Sequence, residues 1–481
     1  MRAFTRREAL AGILGIAGAS ALPGCSVNPV TGKREFMLMS EQKEIAMGEQ
    51  AHGEILNTYG TYGDEQLQSW FGERGREMGA LTHRSHLKYT FVVLDSPVVN
   101  AFAVPGGYIY VTRGILGYFN NEAQFAGVLA HELGHVNARH SASKYSKAQL
   151  ATITLGVGSI FSEEFAQYAQ FASLGAQLMF LKFSRDDERE ADKLGVEYSS
   201  KNGYDAVEMS TFFHTLERMH PGGGSLPAWQ STHPDPGDRI NDTRKKAQSF
   251  QKANPDIKYL VKRNEYMELI DGMIFGNDPR QGYVDGSMFY QPEMKFMFPV
   301  PAGWTLTNNP TEVRMSPEKG NAVSIFTVSQ GDSPQAASTQ FTTENEVTVS
   351  NSRSLSVNGM SGFYSSGLIA GEEGNIAITS HFIKKDDTVY AFHGLAAEAD
   401  FASVEGMFEK SALGFKNLAD RSRIEVTPEK IEIRDMKSSK TLRAALNEFG
   451  VPEDMIEKLS VINGVELNDT MEAGTKIKIV G

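Results

Sequence analysis

Apolar residues recur at helical spacing through SEQKEIAMGEQAHGEIL, Ser40 to Leu56, behind a serine suited to cap a helix. The period then shortens. YTFVVL, Tyr89 to Leu94, reads as a buried strand, and NAFAV and YIYVT flank Pro105-Gly106-Gly107 as the arms of a hairpin. Helical spacing returns at Asn121, where Gln124 suits a capping box, and Phe125, Val128, Leu129, Leu133 and Val136 mark the face such a helix buries. Residues 148–183 are apolar except where Glu163 and Glu164 interrupt. The runs left are about 15 and 17 uncharged residues, short for a membrane span and containing several Gly, Ser and Gln. One or two buried or lid-forming helices are expected there, with a membrane-contacting surface as the alternative. Ser184 with Asp187 opens a further helix, which Gly203 closes.

The pattern changes after about Asp256. KYLVKRNEYMELIDGMIFG reads as a linking segment that can pack on what precedes it. From Gly286 to Phe415 strands dominate, in MKFMFPVPAGWTL, AVSIFTVS, NEVTVS and NIAITSHFIKKDDTVYAFHGLA, with helical stretches at SPQAASTQF and DFASVEGMFEKSALGF. Lys430 to Gly481 reads strand, helix, helix, strand. The fold class expected is α+β. Its parts are a signal segment at 1–24, a mainly helical domain with a small β-sheet at 25–255, a linker at 256–285, an α+β domain at 286–420 and a small unit at 421–481.

With 41% hydrophobic and 22% charged residues in 481, the chain is an ordinary globular protein able to bury several cores. A formal net charge of -12 argues against a nucleic-acid partner. The start is set apart from the fold. Arg2, Arg6 and Arg7 precede the apolar run ALAGILGIAGASA, which is too short to span a bilayer comfortably. Leu22-Pro23-Gly24-Cys25 then resembles a bacterial lipobox, which implies lipidation at Cys25, and Thr5-Arg6-Arg7-Glu8 resembles a twin-arginine export start. Cys25 is the chain's one cysteine, so no disulfide within the chain can form. Lipid chains would supply a membrane anchor that the rest of the sequence does not.

The chemistry gathers in HELGH, His131 to His135. One helical turn separates the histidines, so both imidazoles can reach a single ion, while Glu132 stands where it can take a proton from a metal-bound water. Gly134 inside this helix costs ~1 kcal/mol relative to Ala, which asks for a close neighbour. A third ligand is needed. His140 lies five residues beyond His135 without the glycine that a metzincin extension requires, and is expected as a surface or supporting residue. SRDDEREADKLG, Ser184 to Gly195, offers Glu188 and Asp192 one turn apart on one face, with Ala191 and Gly195 small enough for close approach to the histidine helix. Glu190 competes with Glu188 as ligand, but on an ideal helix it points about 160° away.

HELGH followed by SR-x-x-E-x-x-AD resembles peptidase family M48, a family of zinc metallopeptidases, over roughly Cys25 to Phe250. NPVTGKREFMLMS and NAFAVPGGYIYVT are similar to its bacterial lipoprotein members. The resemblance implies a gluzincin-type domain holding one Zn2+ per chain on His131, His135 and Glu188, with Glu132 as general base and Asp192 orienting a ligand imidazole. In STHPDPGDRI, Ser231 to Ile240, it implies His233 as a fourth, inhibitory ligand that leaves before substrate enters, with GGGS upstream as the flexible element. Two other readings of His233 stand beside this one: a transition-state donor, or an incidental histidine in a Pro-rich loop. Arg239 is a further candidate for transition-state donor. A peptide would add as a strand along the sheet edge near Asn100 to Val104.

The last unit resembles a LysM module in its Thr-Leu start, its Leu-x-x-x-Asn-Gly segment and its Ala-Gly-x-Lys-Ile-Lys-Ile end, which implies peptidoglycan as a ligand. No repeat period is present, unlike envelope members of the family with a helical-repeat tail. The expectation is a zinc endopeptidase in the cell envelope, lipid-anchored at the outer membrane facing the periplasm, acting on unfolded or misfolded polypeptides. Its rival is a non-proteolytic chaperone-like or peptidoglycan-binding scaffold, against which an intact Glu132 speaks.

Overall fold

The structure, a computed structural model, describes residues 25–155, 178, 181–219, 228–234, 238–318, 322–370 and 374–481. The expected signal segment at 1–24, most of the apolar stretch (156–177 and 179–180) and the GGGS residues 222–225 lie outside these. Among the described residues the architecture is mixed helix and sheet.

Ser40 caps the helix Glu41–Tyr59 by accepting from the backbone N–H of Lys43, as its position before a helical period requires. The strands Thr90–Leu94, Ala101–Val104 and Tyr108–Thr112 form one small sheet with Tyr108–Thr112 in the centre, parallel to the first and antiparallel to the second. Gly106 and Gly107 take positive φ, 85° and 97°, at the hairpin turn between the last two. Ala101–Val104 is thus an edge strand, but it is not open. All its residues are buried, and Leu178 packs with Phe102 and Val104. The amide of Trp229 donates to Val99 O at 3.2 Å just before the strand begins. The exposed edge expected at Asn100 to Val104 is therefore covered in this structure.

The histidine helix, Glu122–Ala138, is buried along its whole length. Asn121 accepts from the Gln124 amide at 2.8 Å, and the Gln124 side chain reaches back to Asn120 N at 2.7 Å. Against it lies the helix Arg185–Lys201, opened by a complete Ser184/Asp187 capping box. A Cβ on Gly134 would stand 3.2 Å from Ala191 Cα and from Leu194 Cβ, which is the close neighbour that the glycine calls for. The helices Val207–Arg218 and Arg239–Ala253 complete this pack.

Residues 256–285 carry a helix of their own, Arg263–Ile270, with Tyr266, Met267 and Ile270 buried. The Tyr266 hydroxyl donates to Leu116 O at 2.7 Å. Backbone bonds then tie Gly272 to Ile431, and Phe275 to Glu429, at 2.8 Å each. The segment expected as a linker is thus a packed bridge between the first and last units. The last unit has the expected order: strand Ile431–Asp435, helices Leu442–Glu448 and Glu453–Asn463, and strand Lys476–Val480 antiparallel to the first. Its Leu446, Ile456, Leu459 and Ile477 share one hydrophobic core with Phe119, Phe212 and Tyr266. Lys478 is fully buried, and its ammonium donates to Gly117 O and Phe119 O at 2.9 Å each.

Between these lies a seven-stranded antiparallel sheet. In spatial order its strands are 348–357, 360–369, 376–385, 388–397, 322–329, 312–317 and 304–308. The helices Pro334–Glu344 and Phe401–Leu413 pack on it where helical stretches were expected. Its core is aromatic, built on Phe289, Phe296, Phe298, Phe326, Phe392 and Phe415, and separate from that of the helical domain.

Candidate metal centre

The two helices set their side chains against each other. One ligand atom each from His131, His135, Glu188 and His233 lies within 4.8 Å of the others, and all four residues are buried. His131 Nε2 stands 3.0 Å from His135 Nε2, and His233 Nδ1 is 3.3 Å from His131 Nε2 and 3.0 Å from Glu188 Oε1. Glu188 Oε2 lies 3.5 Å from His131 Nε2 and makes no hydrogen bond among the described residues, with the Arg239 guanidinium at ion-pair distance, 3.3 Å.

Each member is held from behind. His131 Nδ1 faces Asp192 Oδ1 at 3.0 Å, which fixes the proton on Nδ1 and leaves Nε2 bare. Arg239 holds Asp192 in turn, at 2.7 and 2.9 Å, and reaches Glu188 Oε2 at 3.3 Å. The guanidinium packs over Phe213 at 4.1 Å and Trp229 at 4.7 Å. Arg239, expected as a candidate transition-state donor, is thus engaged by the carboxylates of the cluster. Burial works to raise Asp192, but Arg239 and the bond from His131 prevail and hold its carboxyl below the usual range.

His140 is not a surface residue. It is only 4% exposed, its Nδ1 lies 2.9 Å from His135 Nδ1 and its Nε2 lies 3.1 Å from Glu190 Oε2. The chain turns there through Arg139, which takes a left-handed φ of 60° although it is not glycine. Glu190 therefore points away from the cluster, as the helical angle requires, and meets His140 instead.

Glu132 sits beside the cluster. Its Oε1 accepts from Trp229 Nε1 at 3.3 Å and lies 3.6 Å from His233 Nε2, while Oε2 has no hydrogen-bond partner among the described residues. Burial pushes its carboxyl up to about 7, against the pull of His233. Trp229, unmarked in the sequence reading, stacks on His233 with ring centroids 4.8 Å apart, one turn earlier on the short helix Ala228–Thr232. An aromatic four residues before a candidate ligand was the available signal.

These residues fit a metal. With its Nδ1 proton committed to Asp192, His131 turns a bare Nε2 toward His135 Nε2, and the buried Glu188 carboxylate lies beside them with its Oε2 in ion-pair contact with Arg239. Nitrogen and oxygen donors so placed repel one another unless a cation lies among them, and a donor set of imidazoles with one carboxylate suits zinc.

Residues 65–247 match the family description for peptidase family M48. This segment belongs to that family. The M48 segment spans both helices of the cluster and His233. Among similar proteins, the beta-barrel assembly-enhancing protease of Yersinia pestis is 29% identical over 238 residues, covering 48% of this chain and 49% of that protein. Its Escherichia coli K12 counterpart of the same name is 26% identical over 233 residues, 46% and 47% of the two chains. The mitochondrial metalloendopeptidase OMA1 of Schizosaccharomyces pombe is 30% identical over 219 residues, 44% and 63%. The chain therefore spans from about half to less than two thirds of the length of these relatives. Among solved structures, that of cyanobacterial PsbP from Synechocystis aligns with 28% of this chain and 96% of its own, at 13% identity and a TM-score of 0.24.

Proposed function

We propose that the protein is a zinc-dependent endopeptidase, with His131, His135 and Glu188 as ligands and Glu132 as the general base. The observation that carries this is the convergence of three imidazoles and one carboxylate within 4.8 Å, with Glu132 and its unpartnered oxygen alongside. Zinc bound there supplies Lewis acidity to a water and to the scissile carbonyl. Glu132 takes the proton of the attacking water as the carbon–oxygen bond forms, then delivers it to the amine nitrogen as the carbon–nitrogen bond breaks. Trp229 fixes the other carboxylate oxygen. Asp192 orients His131, and Arg239 steadies Asp192 and Glu188.

His233 is the resting plug. It lies against Glu188, His131 and Glu132 at once, where an attacking water and a substrate would have to sit. The short helix just before it also pins Val99, beside the edge strand, through Trp229. One withdrawal would therefore open the metal position and the strand edge together.

The relatives named beta-barrel assembly-enhancing protease support misfolded or stalled envelope polypeptides as the substrate class. Lipidation at Cys25, with Ser26 compatible with sorting to the outer membrane, would anchor the chain facing the periplasm. No helix among the described residues is long and apolar enough to cross a membrane. The strand–helix–helix–strand order of the last unit supports the LysM-like reading, which implies peptidoglycan as its ligand.

Casein digestion with and without a chelator tests the activity, run in the wild type and in His233→Ala so that the plug cannot mask it. Glu132→Gln should keep its zinc and lose roughly 10²–10⁴-fold in rate, the share a positioned acid–base group contributes. Zinc loss in that variant equal to the loss of activity would overturn the division between ligands and base.

A further inference from the structure

We infer that His140 and Glu190 are positioning residues that set the proton on His135 and so commit its Nε2 to the metal. This rests on the zinc reading above and adds a part to it. A carboxylate only accepts, so the 3.1 Å contact with Glu190 Oε2 requires the proton of His140 to be on Nε2. A neutral imidazole carries one ring proton, so His140 Nδ1 is then a bare acceptor. It faces His135 Nδ1 at 2.9 Å, which must therefore be the donor. His135 Nε2 is left without a proton, 3.0 Å from His131 Nε2 and 3.5 Å from Glu188 Oε1. Glu190 at the end of the row, with Asp187 Oδ1 farther off at 3.8 Å from the same nitrogen, thus settles two tautomers.

The two histidine ligands are served differently. His131 is set directly by Asp192 at 3.0 Å, and His135 is set through an intervening imidazole. Both carboxylates come from the same helix, Arg185–Lys201, as does Glu188. Glu190 points off the ligand face, and the turn at Arg139 brings His140 round to meet it. That turn is built and held. Arg139 sits at φ 60°, with its guanidinium on Glu44 Oε2 at 2.8 Å, Met39 O at 2.9 Å and Ser26 Oγ at 2.9 Å. A non-glycine residue rarely takes that region, and such anchoring holds it there.

The test is zinc affinity, measured by competition with a chromophoric chelator on the full folded chain. Loss of a partner that orients a ligand imidazole costs roughly 10–100-fold in affinity, and His140→Ala should fall in that range. His140→Asn, whose amide can accept from His135 and donate to Glu190, should recover most of the loss. Glu190 is partly exposed, at 23% of its side chain, so Glu190→Ala should fold even if His140→Ala does not, and it should weaken zinc in the same direction. In the double variant the two losses should not add, because Glu190 acts through His140. The cobalt-substituted visible spectrum should shift in His140→Ala and return toward wild type in His140→Asn. Wild-type affinity in Glu190→Ala, or failure of His140→Asn to improve on a folded His140→Ala, would overturn the relay alone. A wild-type chain that binds no zinc would overturn the metal reading and the relay with it.

Discussion

Two regions of this molecule bury histidines to the same degree, and only one of them makes a site. In the helical domain His131 and His233 are almost fully buried; in the seven-stranded sheet His381 and His393 are buried as well. Burial lowers all four to about 4. By those measures the regions are indistinguishable. The difference lies in what each ring faces. His393 Nδ1 is paired with Ser380 Oγ at 2.8 Å, and its ring stacks on Phe341 at 4.0 Å. His381 meets Tyr364 edge-on at 5.0 Å. These two stand among core side chains with no carboxylate bonded to them. His131 and His233 instead turn nitrogens toward each other and toward the Glu188 carboxylate. Depressed basicity records desolvation. Convergent donor atoms from four side chains are what a metal position offers.

Removing the carboxylate from the convergent region is the harshest way to break the contrast. Glu188→Ala should cost far more zinc affinity than the roughly 10–100-fold expected when a supporting partner is lost, because a ligand goes and two imidazoles are left facing each other. Chelator competition reads this directly. Near-wild-type affinity would remove Glu188 from the ligand set.

A second, smaller effect sharpens the same contrast. If His233 occupies the working position at rest, His233→Ala should raise cleavage of an unstructured substrate several-fold and leave one zinc per chain. A fall in rate with zinc retained would make His233 a transition-state donor, and an unchanged rate would return its loop to a covering role.

The helices, the hairpin and the spacing of the histidine and carboxylate pairs were legible because local rules write them locally. Asn121 and Gln124, Ser184 and Asp187, and the i, i+4 spacing of His131 and His135 each need only a few residues of context. What was hidden depends on distant partners or on rare backbone. His140 stood between a surface and a supporting role because nothing marks Arg139 as left-handed; the anchors of Arg139, which are Ser26, Met39 and Glu44, lie about a hundred residues away. Lys478 alternates with isoleucines as though it faced water, yet its ammonium is buried on carbonyls of another unit. The edge strand was read correctly in order and wrongly in exposure, since what covers it comes from sequence far downstream.

The smallest effect belongs to the other region, and it tests the comparison where it is most easily broken. His393→Leu keeps a side chain of similar reach under Phe341 and removes one hydrogen bond. Net, a neutral hydrogen bond is worth about 0.5–1.5 kcal/mol, so the loss should be ~1 kcal/mol, partly offset by the added apolar contact. Thermal melting should fall by a few degrees at most. Zinc content and peptidase rate should not move, because the ring faces Ser380 and Phe341 and its domain has its own aromatic core. If His393→Leu lowered zinc affinity as the cluster variants do, burial itself would be setting the affinity through the packing of the whole chain. The difference between a satisfied histidine and a convergent one would then explain nothing.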